Sequence, residues 1–275
     1  MLKKYVLGMI AGLSLCANVV MADKIHPISR EMGSGTRGAF TEIFHIQKEI
    51  QGKKVDGTTD KAEVTNSTGV MITTVSNDKD AIGYISLGSL KDNVKAVSID
   101  GVAPSVANVN NKTYKVSRPF NVVVKEENAL IKDFLDYAVN AKDVIEKAGY
   151  IPNKPEKYAS KKPSGKLRVV GSSSVTPLMQ KLAESYKSVN PNATIEISQS
   201  DSTTGVNSIV EGIADIGMVS RDLKPAELEK GIKNRVLAID GLAVIVNKSN
   251  PVKNISKEQV QKIFKGEITD WKEVK

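Results

Sequence analysis

The sequence predicts an α/β protein assembled from repeated strand–turn–helix units. Runs of β-branched residues lead into Gly- or Ser-rich turns at three places, and apolar residues at helical spacing follow each turn. The composition, 40% hydrophobic and 25% charged over 275 residues, is that of a soluble globular chain with ample core.

Ahead of the first unit, Lys3 and Lys4 precede the apolar run YVLGMIAGLSL, and VMA at 20–22 offers small side chains where a signal peptidase reads. Residues 1–22 are therefore expected to be a secretory leader cleaved after Ala22, its apolar run being short for a bilayer span. Cys16 is the only cysteine, so no disulfide is expected. It follows Leu15, where a lipoprotein leader would carry a small residue, which favours a soluble export product over a lipoprotein. The formal charge is +8, and losing Lys3 and Lys4 leaves +6. The lysines are scattered, with no stripe of the kind nucleic acid requires, so no nucleic-acid partner is expected.

The first unit is IHPIS running into Gly33-Ser34-Gly35-Thr36, with Ala39, Ile43 and Phe44 marking the helix. In the second, Leu167 to Val170 feed Gly171-Ser172-Ser173-Ser174, and Leu178, Leu182 and Tyr186 follow. In the third, Ile195 and Ile197 lead to Ser200-Asp201-Ser202-Thr203-Thr204-Gly205, and Val206, Ile209 and Val210 resume a helical face. Further on, SKEQVQKIFKG carries its own start and stop, Ser256 with Gln259 as a capping box and Gly266 as the helix terminator. Between units one and two, residues 152–165 form a Pro/Lys/Ser-rich stretch suited to a solvated tether.

These turns share one chemistry. The first turn of a helix leaves backbone N–H groups without intrahelical partners, and its dipole favours negative charge. Glycine permits close approach, and Ser and Thr hydroxyls add donors without net charge. One such turn is most often an ordinary N-cap; three that converge would surround a tetrahedral oxyanion with hydrogen bonds. Arg30 and Arg221, beside the first turn and after IADIGMVS, could add cationic forks. GSGTR lacks the Gly-Lys-Ser/Thr ending of a Walker loop, and GSSSVTP is not a G-x-S-x-G elbow. A serine nucleophile would need a base, and the only histidines, His26 before a proline in a strand and His45 within a helix, read as packing residues without Cys or acidic partners at metal-ligand spacing. No metal, cofactor or catalytic residue is expected.

GKLRVVGSSSVTPLMQKLAESY, SDSTTGVNSIVEGIADIGMVSRDL, ISREMGSGTRGAF, AIGYISL and GLAVIVNKSNPVKNISKEQVQKIFKGEITDWKEV together resemble the PstS family, the phosphate-binding proteins of ABC importers. The resemblance covers essentially 24–275. It implies the type II periplasmic-binding-protein fold, two α/β lobes joined by two crossings with the ligand in the cleft. The order is rotated: the segment resembling the family's C-terminal end, ALIKDFLDYAVNAKDVIEKAGYIP, precedes the one resembling its N-terminal strand. The chain therefore resembles a circular permutant, with 152–165 joining the family's usual ends. On that mapping 117–246 is one lobe, 23–116 with 247–275 is the other, and RPFNVVVKEEN and GLAVIVNKSN are the crossings.

The resemblance further implies that Ser174, Val175 (through its backbone N–H) and Thr176, then Asp201, Ser202 and Thr203, then Arg30, Ser34, Gly35, Thr36 and Arg221 hold phosphate. One departure stands out. Where some members place an Asp after the serine of MVS, as acceptor for the phosphate proton, this chain has Arg221, and Asp201 is the candidate substitute beside its plain role as a helix cap. The implied function is a monomeric, extracytoplasmic phosphate-binding protein that hands inorganic phosphate to an ABC permease. The alternatives are a broader oxyanion binder or sensor and, from another class, a phosphoester hydrolase.

Overall fold

The computed structural model describes residues 24–154 and 156–274. The leader expected at 1–22, with Cys16, lies outside the described residues.

β-branched, alternating runs become strands wherever a hydrophobic face can be buried, and here they join into one curled sheet. Its order is Ala193–Ser200, Gly165–Ser172, Ile216–Val219, Ser117–Val124, Lys233–Asn247, Ala81–Ser86, His26–Arg30, Glu63–Thr65. The outer three strands at each end run parallel, as crossover connections through helices require, whereas the central pairings are antiparallel. Lys233–Asn247 serves both ends. Its stretch up to Gly241 pairs with Ser117–Val124, and from Leu242 on it pairs with Ala81–Ser86.

The two largest core masses follow from this switch. A central one is built from Phe120, Phe134, Leu178, Leu182, Ile216 and their neighbours. A flanking one gathers Phe40, Tyr84, Val244, Ile263 and Phe264, with the Phe40 and Tyr84 rings stacked 3.8 Å apart. We call the parts around them the central and flanking halves. The change-over at Gly241/Leu242 comes before the expected boundary at 246: Leu242, Val244 and Val246 pack into the flanking core.

The segments expected to be ends meet others in specific ways. Ile25 N–H donates to the Thr269 carbonyl (2.8 Å) and Lys24 bridges to Asp270, so the start of the described chain lies along its end. The described part of the stretch 152–165 is anchored rather than the loose tether the composition suggested. Ser160 Oγ (2.7 Å) and Lys161 N–H (2.9 Å) donate to Asp133, which also accepts from Tyr186 Oη at 2.6 Å. Burial alone would raise the Asp133 pKa, but these donors hold it below the ordinary value.

The terminator signals act as the sequence predicts: Ser256 and Gln259 cap reciprocally, and Gly266 closes the helix Lys257–Lys265 at φ 80°. The histidines differ from expectation. His45 lies beyond the helix Gly35–Ile43, at φ 54°, rather than within it. His26 is exposed and bonds Asp78 (2.6 Å); its ring lies within 4.8 Å of carboxylate oxygens of Asp78 and Asp80, a proximity that sequence spacing does not reveal. Lys79 Nζ holds both oxygens of that Asp80.

Candidate functional site

All three predicted turns sit at the carboxyl ends of parallel strands, where open α/β sheets place their ligand sites. His26–Arg30 leads to the helix Gly35–Ile43, Gly165–Ser172 to Thr176–Val189, and Ala193–Ser200 to Ser202–Val210. The first belongs to the flanking half and the other two to the central half, so the turns face each other across a cleft.

The cleft is filled by hydroxyls that reach across it. Thr36 Oγ1 lies 2.8 Å from Ser174 Oγ, and both residues are buried. Arg30 donates through Nη2 to Ser173 Oγ (3.1 Å). Within the central half Ser172 Oγ donates to Ser220 Oγ (2.9 Å), and Ser220 N–H donates to Ser202 Oγ (3.1 Å). Gly35 is required by close approach: a Cβ there would lie 2.3 Å from Ser202 Oγ and 2.7 Å from Ser220 Oγ. Gly33 is pressed in the same way against Asp201, where a Cβ would meet Oδ1 at 2.3 Å.

Arg30 is fixed from behind. Its backbone N–H donates to Tyr84 Oη (3.2 Å), which also lies 2.9 Å from Ser29 Oγ. Burial pushes the Tyr84 hydroxyl up to about 12, so it stays protonated. The Arg30 fork also donates to Glu31 through Nε (2.7 Å) and Nη2 (2.6 Å).

The structure thus brings together Arg30, Gly35, Thr36, Ser174 and Ser202. Other predicted residues point elsewhere. Arg221 was expected to offer a second cationic fork, but both its terminal nitrogens donate to Glu227 at 2.7 Å, and Nη1 also reaches the Asp222 carbonyl. Burial would raise the Glu227 pKa, yet Arg221 holds it below the ordinary range, so this cation is already balanced. Asp201 caps its helix, accepting from Thr204 N–H (2.9 Å) and Thr204 Oγ1 (2.6 Å). Thr203 donates through N–H and Oγ1 to the Gly33 carbonyl across the cleft, both at 3.2 Å. Val175 N–H donates to the Ser172 carbonyl rather than into the cleft, and Thr176 Oγ1 turns back to the same oxygen. Ser34 caps its helix by accepting from Arg37 N–H (3.2 Å), which leaves its own proton available.

Four participants were not anticipated. Ser172, Ser173 and Ser220 join through the turns that hold their predicted neighbours. Thr68 arrives from a helix start, Thr68–Asn77, that the sequence reading did not single out; its Oγ1 lies 3.1 Å from Ser174 Oγ. Behind the cluster, Arg118 and Asp240, cross-strand partners on the two long strands, form a fully buried pair (Nη2–Oδ2 3.1 Å). Arg118 Nη1 donates to the Ser220 carbonyl (3.0 Å) and Ser86 Oγ donates to Asp240 (2.8 Å), which ties each half to the pair. Burial pushes Asp240 up to about 6 despite Arg118.

Parallel turns from two sheet halves meeting over buried donors define a ligand-capturing protein of the periplasmic-binding class. The family model described as the PBP superfamily domain matches residues 20–142 and 156–275. Phosphate-binding protein PstS 2 of Streptococcus agalactiae is 50% identical over 274 residues, 98% of this chain and 94% of the relative. The crystal structure of a phosphate ABC transporter phosphate-binding protein from Streptococcus pneumoniae superposes with a TM-score of 0.71 at 43% identity, covering 92% of this chain and 100% of that one. PstS of Bacillus subtilis, in contrast, matches at 36% over 126 residues, 44% of this chain and 41% of the relative. The chain belongs to the PstS family of ABC-transporter substrate-binding proteins, with the type II periplasmic-binding-protein fold. Among the described residues no helix is long and apolar enough to cross a membrane.

Proposed function

We propose that this protein captures inorganic phosphate in the cleft between its two halves, outside the cytoplasm, and delivers it to the permease of an ABC importer. The observation that carries this reading is the cross-cleft hydroxyl network around Arg30, above all the Thr36–Ser174 contact at 2.8 Å. Donors from both halves on one anion would favour the closed arrangement, which is how a binding protein couples capture to closure. Each chain carries both walls of its cleft, so it acts as a monomer, and a leader at 1–22 exports it. It is not an enzyme: His26 bonds Asp78 at the opposite end of the strand that ends at Arg30, and the cleft serines bond one another and Arg30.

The chain is also a circular permutant of the family's commoner order, with one lobe running from 117 to the change-over at Gly241/Leu242 and the other split between the segments before and after it. Two facts support this. The full-length match to one relative contrasts with the half-length match to another, and Ile25 lies along Thr269 as an uncut connection would.

A second reading, a broader tetrahedral-oxyanion binder, is favoured by the carboxylates around the cluster. Glu31, Glu227 and Asp240 are each held by an arginine and Asp201 caps its own helix through Thr204, so each carboxylate already has a structural partner and none is set apart to accept a ligand proton and thereby reject sulfate.

Calorimetric titration of phosphate into protein stripped of ligand by refolding, repeated in excess sulfate, separates the two. Binding that survives sulfate establishes phosphate specificity, and binding abolished by sulfate establishes the broader class. No heat with either anion sinks both. The same titration on a chain relinked from 274 to 24 and opened within 152–165 tests the permutation: equal affinity supports it, and a chain that cannot fold overturns it.

A further inference from the structure

A strand end beyond those of the three predicted turns also reaches the cleft. Glu63–Thr65 pairs in parallel with His26–Arg30, with Thr65 opposite Arg30, so the two strands end at the same level. Glu31 N–H donates to the Thr65 carbonyl (3.0 Å) and Thr65 Oγ1 donates to the Ser29 carbonyl (3.0 Å), which locks that register. The helices that follow, Gly35–Ile43 and Thr68–Asn77, therefore open side by side towards the central half. Ser67 caps the second by accepting from Val70 N–H (3.2 Å), leaving Thr68 to point onward.

Thr68 is buried and bonds only across the cleft in the contacts it makes there. Its N–H donates to Ser173 Oγ (3.3 Å), and its Oγ1 lies 3.1 Å from Ser174 Oγ and 3.4 Å from Ser173 Oγ. Thr36 reaches the same Ser174 oxygen at 2.8 Å. A serine hydroxyl carries one proton, so Ser174 donates to at most one of the two threonines and accepts from the other. Ser173 Oγ likewise collects Arg30 Nη2 as well as the Thr68 N–H. Around these two oxygens donors crowd onto weak, neutral acceptors. An oxyanion, whose oxygens accept strongly, would draw those donors from the serines.

We infer that Thr68 is a ligand-contact residue, giving the bound tetrahedral oxyanion its hydroxyl and first-turn N–H, so that each half grips the anion with two turns. The inference rests on the phosphate-binding reading above and extends it to a turn the family resemblance did not assign. Thr68 and Thr36 act as a pair on opposite sides of Ser174.

The test is calorimetric titration of inorganic phosphate into the full mature chain and its Thr68→Val and Thr68→Ser variants, with a crystal structure of the wild-type phosphate complex. A lost hydrogen bond to an anion predicts roughly 10- to 100-fold weaker binding for Thr68→Val. Thr68→Ser, which keeps the hydroxyl, stays within about threefold. In the complex Thr68 Oγ1 or N lies within hydrogen-bond distance of a phosphate oxygen. A Thr68→Val affinity within about twofold of wild type, or a complex in which Thr68 still bonds only serines, overturns the inference while leaving phosphate binding intact. Wild-type protein that takes up no phosphate overturns the functional reading, and this inference with it. If Thr68→Val does not fold, the structure of the complex decides alone.

Discussion

Arg30 and Arg221 look alike in sequence, each directly after a serine at the end of a β-favouring run, but they are held differently. Arg30 is almost wholly buried and its carboxylate partner Glu31 remains partly in solvent, 24% exposed. Its fork spans Glu31 and, across the cleft, Ser173. Arg221 is paired to a carboxylate as buried as itself, and both its terminal nitrogens are committed to Glu227. A cation whose counter-ion can stay hydrated is free to transfer its hydrogen bonds to an arriving anion. One whose counter-ion is buried cannot do so without stranding a charge. If the cleft binds phosphate as proposed, the Arg30 turn serves the ligand and the Arg221 turn serves the fold.

The largest effect that would break this contrast is on stability. Glu227→Ala leaves Arg221 buried without its partner and should cost about 3–5 kcal/mol, read from the urea midpoint. Replacing both residues with apolar ones should recover much of that loss, because neither charge is then stranded. The pair also has a pH signature. The Glu227 pKa is depressed from its ordinary 4.5, so its contribution is complete above that value and fades as pH falls through the lowered folded pKa. The double variant should lose this part of the acid limb. An acid limb identical to wild type would show that Glu227 is not paired in solution.

The complementary change acts on binding. Arg30→Met removes a charged donor from the cleft and leaves Glu31 in contact with water. Phosphate affinity should fall by roughly 10- to 100-fold or more, the range for hydrogen bonds to a charged group. The stability loss should stay below that of Glu227→Ala. If instead Arg221 variants weaken binding and Arg30 variants do not, the roles assigned to the two arginines are reversed.

Local chemistry decided which parts of this contrast could be read from the chain. Strand–turn–helix units, the Ser34 and Asp201 caps and the Ser256–Gln259 box depend on neighbours within a few residues, and all are where the pattern puts them. The cleft residues Arg30, Thr36, Ser174 and Ser202 were legible because three similar turns reinforced one another. Thr68 was not, because its strand, Glu63–Thr65, is three residues long and gives almost no alternation to notice. The partner of Arg221 is six residues on, yet a Lys/Glu-rich stretch offers several carboxylates and no reason to choose Glu227. Arg118 and Asp240 lie 122 residues apart, and only the pairing of the two long strands brings them together. Val175 N–H closes a turn on Ser172 instead of facing the cleft, which depends on dihedral angles that residue identity leaves open.

The smallest predicted effect concerns Asp201, where cap and proton acceptor had been equal alternatives. Each of its oxygens accepts one hydrogen bond from Thr204, so the cap is made in full without any ligand. Asp201→Ala should then cost about 1 kcal/mol of stability, the usual price of an N-cap. Asp201→Asn, which caps equally well, should cost almost nothing. Neither should change the ratio of phosphate to sulfate affinity, because a carboxylate bound to its own helix does not test the ligand for a proton. If Asp201→Asn leaves stability intact but lets sulfate compete more strongly, Asp201 leaves Thr204 when the anion binds. The discrimination would then lie in the third turn, and the fold-serving side of the cleft would have a share in recognition after all.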